Sequence, residues 1–267
     1  MLKQRIITAA ILIPVFLILL FTLSAPYFCF FTGLIVMIGA WEWSFLMGVK
    51  AFPQSVYYPL LILILMGCLI AFPVPIPVVL LLSLFFWLFA AFLIHRYPAS
   101  HMHTFMQAIA GIFVLLPCWL AINIIHNAEN GVYILLFLFL LIWGADSAAF
   151  FVGKKWGVKK LAPMVSPGKT WAGLYGALFA TFLIVACALL SLKIPLRMWP
   201  AIIILSFVTV IFSVVGDLFE SMMKRWAGVK DSGRLLPGHG GVLDRIDSLT
   251  AAAPIFVLGA MLIGKFY

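Results

Sequence analysis

Charged residues are scarce in this sequence, since only 9% of its 267 residues are Asp, Glu, Lys or Arg while 66% are hydrophobic. A soluble domain of this length exposes a large surface to water, and so few polar residues cannot cover that surface. Several stretches exceed the roughly 18 apolar residues that mark a membrane-spanning helix. The composition therefore argues against a soluble protein and predicts an all-α, polytopic membrane helix bundle.

Paired cysteines and internal repeats are missing as well. The four cysteines lie in apolar segments without C-x-x-C spacing, so we expect packing residues and neither disulfides nor metal ligands. They are Cys29, Cys68, Cys118 and Cys187. No repeat stands out along the chain, and the inverted repeats of many transporters therefore have no support here.

The apolar runs predict about nine transmembrane helices, each near the roughly 20 residues that a bilayer requires. They cover residues 6–24, 27–47, 57–73, 76–95, 104–125, 131–151, 171–191, 199–220 and 249–266. The first run follows Lys3 and Arg5, is longer than a signal-peptide core of about 7–15 residues, and is followed by no convincing small-x-small cleavage site. We therefore expect a retained signal anchor.

The basic residues orient this predicted bundle. Fourteen of the 17 fall on the side of the amino terminus, and the remaining three are Lys193, Arg197 and Lys265. The fourteen are Lys3, Arg5, Lys50, Arg96, Lys154, Lys155, Lys159, Lys160, Lys169, Lys224, Arg225, Lys230, Arg234 and Arg245. Such an excess marks cytoplasmic loops and predicts a cytoplasmic amino terminus. Orientation and attraction to anionic membrane lipids also account for the net charge of +9 without a nucleic-acid partner.

Two cytoplasmic loops, 153–170 and 221–248, hold ten of the basic residues. Both belong to a predicted carboxy-terminal catalytic region, 131–267, which follows an amino-terminal transmembrane bundle, 1–130. In the first loop, five lysines and the turn at Ser166-Pro167 fit phosphate capture, although cytoplasmic loops are basic in any case. We therefore expect the chemistry of the protein in these two loops.

Three carboxylates close apolar runs at predicted membrane depth, namely Asp146, Asp217 and Glu220. Such a group costs about 2.5–3.5 kcal/mol in mid-membrane, which water or a bound cation near the interface relieves. Asp217, Glu220, Ser221 and Lys224 share one helical face, which is suited to a cation beside a phosphate. The same spacing also forms ordinary intrahelical salt bridges.

The second loop is rich in glycine, and backbone amides in such a loop approach an anion closely. Its turn-forming residues are Gly233, Pro237, Gly238, Gly240 and Gly241. Asp244 and Asp247 follow, three residues apart, and share a face if the last helix begins there. Two such carboxylates suit Mg²⁺, which prefers oxygen ligands, but they also fit caps at the positive end of that helix.

These features favour nucleotidyl or phosphoryl transfer, which depends on metal-bridging carboxylates and Lys/Arg clamps. An attacking phosphate is already an anion, so no general base is required, and His239 is left between a phosphate-binding and a loop-stabilising role. Glu42 is interpreted as an interfacial residue between aromatic anchors. His101 and His103 are interpreted as solvated residues and not as a metal site.

The stretch SMMKRWAGVKDSGRLLPGHGGVLDRID, residues 221–247, resembles the signature of the phosphatidate cytidylyltransferase (CDP-diacylglycerol synthase) family. The matching positions are Ser221, Lys224, Arg225, Lys230, Asp231, Gly233, His239, Gly240, Gly241, Asp244, Arg245 and Asp247. Upstream, Asp146, Gly153, Lys154 and the segment SPGKTWAG match more loosely. Ala172 stands where the family often has Glu or Gln, so no role is carried onto it.

The resemblance implies that CTP and phosphatidic acid give CDP-diacylglycerol and pyrophosphate, with Mg²⁺, at the cytoplasmic side of a bacterial inner membrane. The implied metal ligands are Asp217, Asp244 and Asp247. The implied catalytic residues are these three with Lys224, Arg225, Asp231, His239 and Arg245. The implied substrate-binding residues are Ser221, Lys224, Arg225, Lys230, Gly240, Gly241, Lys154, Ser166 and Lys169. Among them Lys224, Arg225, Lys230 and Arg245 are expected to neutralise phosphate charge.

Two other functions are compatible with parts of this pattern. An ion-coupled transporter would use Asp146, Asp217 and Glu220 as coupling carboxylates, but it predicts a site in mid-membrane with charges spread over several spans. Another CTP-using membrane enzyme, such as a polyprenol kinase, would need the same phosphate-binding groups. The sequence does not decide between a monomer and a homodimer.

Overall fold

The computed structural model describes residues 2–49 and 51–264, and within them nine α-helices account for most of the chain. They are α1 (Leu2–Thr22), α2 (Ala25–Leu46), α3 (Gln54–Ala71), α4 (Ile76–Arg96), α5 (Thr104–Asn127), α6 (Gly131–Trp156), α7 (Trp171–Ser191), α8 (Trp199–Trp226) and α9 (Leu243–Leu262). A 3-10 turn, Leu196–Met198, precedes α8, and a small antiparallel hairpin, β1 (Lys160–Ala162) with β2 (Ser166–Thr170), lies between α6 and α7.

Eight of these helices, α2 to α9, are long and apolar enough to cross a bilayer, and α1 contributes a shorter apolar stretch, Ala10–Thr22. The predicted all-α polytopic membrane bundle is therefore confirmed. The signal-anchor role of α1 and the division of the chain near residue 130 remain predictions. Lys50 and Lys265, which entered the charge count, lie outside the described residues.

The two loops are shorter than predicted. Helix α6 continues to Trp156 before the hairpin begins, and the second connection covers only 227–242 because α8 runs to Trp226 and α9 starts at Leu243. The turn that follows α8 contains Gly228, whose backbone is left-handed (φ 68°). The amide of Val229 donates to the Lys224 carbonyl, and that of Gly228 donates to the Arg225 carbonyl, the pairing of a glycine-terminated helix.

Helix α9 is the most enclosed helix and packs against α4, α5, α6 and α8. Its three consecutive alanines, 251–253, are fully buried, and small residues let helices approach closely in a membrane, where packing supplies the attraction. Its closest approach to α8 is at Gly216, where an added Cβ would lie 2.5 Å from the Asp247 carbonyl oxygen and 3.1 Å from the Ala251 Cβ. Gly216 therefore sets the spacing between the helices that carry Asp217 and Asp247.

Replacing Gly216 by Ala tests this spacing. The added methyl group meets backbone, which yields little, so we expect overpacking of about 1–3 kcal/mol and reduced activity, despite the helix propensity gained. Gly67→Ala in α3 is the matched control, because a Cβ there meets nothing within 4 Å. Thermal unfolding in detergent compares the two variants, and equal melting temperatures would show that the contact at Gly216 is unimportant.

An aromatic cluster joins α2 and α4 to α8. The ring of Phe219 lies 5.8 Å from that of Trp87 and 6.4 Å from that of Trp43, between ring centroids. Trp43 also donates from Nε1 to the Gln107 carbonyl at 3.0 Å, which fixes α2 on α5. This packing holds the residue before Trp43, Glu42, against the start of α9. We call this end of the bundle, where α6 and α8 end and α9 begins, the site face.

Candidate active site on the site face

Helix α8 presents the predicted polar stripe to the site face. Ser221 Oγ donates to Asp217 Oδ1 at 3.3 Å, and Lys224 Nζ forms an ion pair with Glu220 Oε1 at 3.1 Å. Both pairs are four residues apart, so the spacing does form local helical contacts. Asp217 and Lys224 also make a second contact outside α8, and these contacts assemble the site.

Asp217 is paired with a lysine from the hairpin. Lys169 Nζ lies 2.7 Å from Asp217 Oδ2, and each side chain is about one quarter exposed, at 23% and 26%. The hairpin is held in place by Arg225, whose Nε donates to the Val165 carbonyl at 3.2 Å. At its end, the Gly173 amide donates to Thr170 Oγ1 at 3.1 Å and caps α7. A predicted phosphate-binding lysine is thus placed beside a predicted metal ligand.

Three carboxylates from three helices are electrostatic neighbours here. Asp146 on α6 interacts with the charges of Asp217 and Lys169 and has Ser248 beside it, while Asp247 on α9 interacts with Asp217. Asp247 Oδ1 accepts a hydrogen bond from the Ser248 amide at 2.7 Å. These carboxylates outnumber the two lysines, Lys169 and Lys224, whose charges reach them, and such an excess of acidic groups in a partly buried place favours a bound cation.

The carboxylates fit Mg²⁺ in their donor chemistry. No set of three Asp, Glu, His or Cys side chains in the described residues is arranged to hold a metal ion by itself. Mg²⁺ does not require one, because it keeps several waters and binds through one or two carboxylates together with substrate phosphates. Asp217 and Asp247, with Asp146 nearby, supply that number.

Asp244 has a different environment from Asp217 and Asp247. Its Oδ1 receives Lys224 Nζ at 2.6 Å, and its Oδ2 accepts hydrogen bonds from the Ser232 amide (2.9 Å), Ser232 Oγ (3.0 Å) and the Gly241 amide (2.8 Å). The bond from Gly241, three residues earlier, is a capping contact of α9. The contacts of Asp244 are thus those expected of a residue at a helix cap, which was the alternative to a metal ligand. Direct binding of a metal by Asp244 stays a prediction.

Glu42 is the residue of this face that the sequence pattern misplaced. It is 2% exposed, and the interpretation as an interfacial residue is therefore wrong. Its Oε1 accepts the Val242 amide at 2.9 Å, and its Oε2 accepts the Leu243 amide at 2.8 Å and Ser232 Oγ at 3.1 Å. These amides belong to the first turn of α9, whose positive end stabilises a carboxylate.

Two glycines make room for the Glu42 carboxylate. A Cβ added at Gly233 would lie 2.8 Å from Glu42 Cδ, and one added at Gly241 would lie 2.5 Å from Glu42 Oε2. In the described contacts, the glycine-rich connection closely approaches the carboxylates of Glu42 and Asp244. A role of Gly240 and Gly241 in binding substrate remains a prediction.

Comparison with known proteins covers nearly the whole chain. Residues 3–262 match the model of the Cytidylyltransferase family. The chain belongs to this family. The phosphatidate cytidylyltransferase of Pseudomonas aeruginosa is 42% identical over 259 residues, which are 96% of this chain and 96% of the relative. That of Haemophilus influenzae is 37% identical over 96% of this chain and 97% of its own length, and that of Brucella suis is 45% identical over 56% of this chain and 55% of its own.

Most of the remaining predicted residues of this cytidylyltransferase lie on its surface. Lys154, Lys230, Asp231 and Arg245 are exposed, and Ser166 is half-buried on β2. The amide of His239 donates to the Leu236 carbonyl at 2.9 Å within the tight turn 236–240. This contact is made by the backbone, so both roles considered for the His239 side chain stay predictions.

The four cysteines and two of the histidines of the cytidylyltransferase were expected to take no part in its chemistry. All four cysteines are free, as predicted. His101 and His103 are exposed, and His101 packs on the ring of Trp226 at 5.7 Å between centroids. Family membership also decides against the ion-coupled transporter.

Proposed function

We propose that this cytidylyltransferase transfers CMP from CTP to phosphatidic acid and releases pyrophosphate, forming CDP-diacylglycerol. The observation that carries the proposal is the similarity, over 96% of the chain, to two relatives named phosphatidate cytidylyltransferase. An apolar bundle with lysines and carboxylates gathered at one end is chemically suited to a lipid phosphate and a nucleotide. The alternative of a polyprenol kinase has no observation of its own in its favour.

The reaction forms one phosphorus–oxygen bond and breaks another. An oxygen of the phosphatidate phosphate attacks the α-phosphorus of CTP, and the bond to the β-phosphate oxygen breaks, so pyrophosphate leaves with that electron pair. The nucleophile is already ionised, and the residues therefore supply charge neutralisation and alignment, not proton abstraction. Lys169, Arg225 and Lys230 would neutralise phosphate oxygens, while Lys224 holds Glu220 and Asp244 together.

A divalent cation, Mg²⁺, would lower the charge repulsion between the two substrates. Asp217 and Asp247 would hold it, with Asp146 adding negative charge beside them. Lys169, now paired with Asp217, lies at the edge of this carboxylate group and is in reach of a phosphate bound there. Asp244 contributes by fixing the start of α9, and hence the position of Asp247 one turn later.

The site face is proposed to be cytoplasmic, in the inner membrane of a bacterium. It carries the hairpin lysines and the basic connection after α8, in accord with the excess of Lys and Arg on cytoplasmic loops. Thr8 Oγ1 donates to the Pro237 carbonyl at 3.1 Å, so the beginning of α1 lies on the same face. A cytoplasmic site also has access to CTP. Association into a homodimer remains a prediction.

The proposed function is tested with purified protein in detergent, labelled CTP, phosphatidic acid and Mg²⁺. We expect labelled CDP-diacylglycerol and an equal amount of pyrophosphate. A polyprenol offered in place of phosphatidic acid should give no product. Absence of a CDP-lipid with every divalent ion tried would defeat the proposal, and phosphorylated polyprenol would favour the kinase.

Removal of divalent ions is expected to stop the reaction. Without a cation, Asp217 and Asp247 repel the phosphates of both substrates, so turnover should fall by on the order of 10³-fold in EDTA and return when Mg²⁺ is added in excess. The measurement is turnover against free Mg²⁺ concentration, with the melting temperature followed in parallel. Full turnover of the chelated protein would refute the metal requirement.

A further inference from the structure

A mainly apolar cavity of about 480 Å³, whose lining also includes His95 and Tyr97, lies beside the charged cluster, between α4, α7, α8 and the hairpin. One wall is a single face of α8, formed by Ile211, Val214, Val215 and Leu218. The opposite wall comes from the end of α4, and the hairpin residues 161–165 cover the cavity on the site face. Its volume falls in the range of about 300–1,000 Å³ that is typical of ligand-binding cavities.

The cavity adjoins the proposed reaction centre through α8 and the hairpin, although none of the charged residues of the cluster lines it. Leu218, at its site-face end, is the neighbour of Asp217 in the chain, and Arg225 lies seven residues beyond Leu218 on the same face of α8. Arg225 uses Nε to hold the Val165 carbonyl, and Val165 itself lines the cavity. The guanidinium is exposed and carries further N–H donors. A phosphate at this end would therefore meet Arg225, with Ser221 and Lys169 beside it.

The cavity also opens towards the outside of the bundle. Two of its lining residues, Ile211 and Met164, are 45% and 60% exposed. Ile211 lies about 10 Å deeper than Leu218, since each helical residue rises about 1.5 Å. At this depth the surroundings of a membrane-spanning helix are lipid tails, so a chain can pass from the bilayer into the cavity without crossing water.

We infer that this cavity receives an acyl chain of phosphatidic acid and so directs the lipid phosphate to Arg225 and the carboxylate cluster. The inference rests on the proposed function. Lipid tails are as apolar as the cavity wall, so burial there adds little attraction; what the cavity supplies is orientation of the lipid. A second cavity, of about 810 Å³ between α2, α3 and α5, has no lining residue on α8 or on the hairpin.

The inference is tested by filling the deep end of the cavity with Ile211→Trp. Ile204→Trp is the matched control, since Ile204 lies seven residues earlier on the same face of α8, is 63% exposed, and does not line the cavity. Each variant is assayed with dioleoyl phosphatidic acid and with dihexanoyl phosphatidic acid, whose chains end before the level of Ile211. Ala91→Phe, which fills the cavity from α4, is a second variant in case the first does not fold.

We expect Ile211→Trp to lower kcat/KM for the dioleoyl lipid by about 10-fold or more, with less than about 2-fold change for the dihexanoyl lipid. Ile204→Trp should leave both values unchanged. Equal losses with both lipids, or no loss in either cavity variant, would overturn the inference. If the unmodified protein forms CDP-lipid from neither substrate, it is the proposed function that fails.

Discussion

Asp247→Asn is expected to lower turnover severely while leaving the protein at least as stable as before. Asp247 is the fifth residue of α9, so it lies beyond the first four residues, whose amides have no partner within the helix. Its carboxylate interacts with the negative charge of Asp217. Replacing one of two neighbouring carboxylates by a neutral group of the same shape relieves repulsion, so the melting temperature should stay level or rise.

The same change removes the charge on which the metal proposal depends. Loss of one preorganised group that stabilises transition-state charge costs on the order of 10²–10³-fold in kcat. We expect a loss of this size, together with a higher Mg²⁺ concentration for half-maximal activity. Turnover, the Mg²⁺ titration and the melting temperature are measured on one preparation.

Glu129→Gln is the matched control for Asp247→Asn. Glu129 is an exposed carboxylate in the connection between α5 and α6, at the end of the bundle opposite the site face. Its conversion to the amide should change neither turnover nor melting temperature. A lower melting temperature for Asp247→Asn, with full specific activity in the folded fraction, would show that Asp247 is a helix cap and not a metal ligand.

Glu42→Ala is expected to reduce both activity and stability, although Glu42 belongs to none of the predicted sets of site residues. The change leaves the amides of Val242 and Leu243, at the start of α9, without their acceptor. Each buried donor left unpaired costs about 1–3 kcal/mol. The Ser232 hydroxyl keeps Asp244 as an acceptor, but the connection 227–242 loses its contact with α2.

Glu42→Gln keeps the shape of the side chain and removes its negative charge. Both carboxylate oxygens of Glu42 act as acceptors, and an amide would turn one of them into a donor facing another N–H group. We expect a loss of about 10–100-fold in kcat/KM, the range for residues that orient ligating groups, with a lower melting temperature. Glu129→Ala and Glu129→Gln, which remove or neutralise an exposed carboxylate, are the controls. Unchanged kcat/KM and melting temperature in Glu42→Gln would refute a positioning role.

Local signals along the chain predicted much of the fold. Apolar runs of about 20 residues require helices in lipid, since the backbone has no other partner there, and all nine predicted spans overlap helices of the structure. The bounds failed where polar residues continue a helix beyond the apolar run, as in α8 from Ser221 to Trp226. There Gly228 was the residue that indicated where the helix ends, and hydropathy alone does not reveal this end.

Sequence alone was enough to predict the membrane bundle, to reveal the charged motif of 221–247 and to place Asp217 and Lys224 on one helical face. These follow from hydrophobicity and helical periodicity, which act over a few residues. The tertiary structure decided the partners: Lys169 for Asp217, Lys224 for Asp244, and the start of α9 for Glu42, 200 residues away in the chain. An acidic residue in an apolar helix indicates that its carboxylate needs a partner, because burying an unpaired charge is costly. When that partner is a distant backbone amide, the sequence does not identify it, and only the packing of the helices brings the two together.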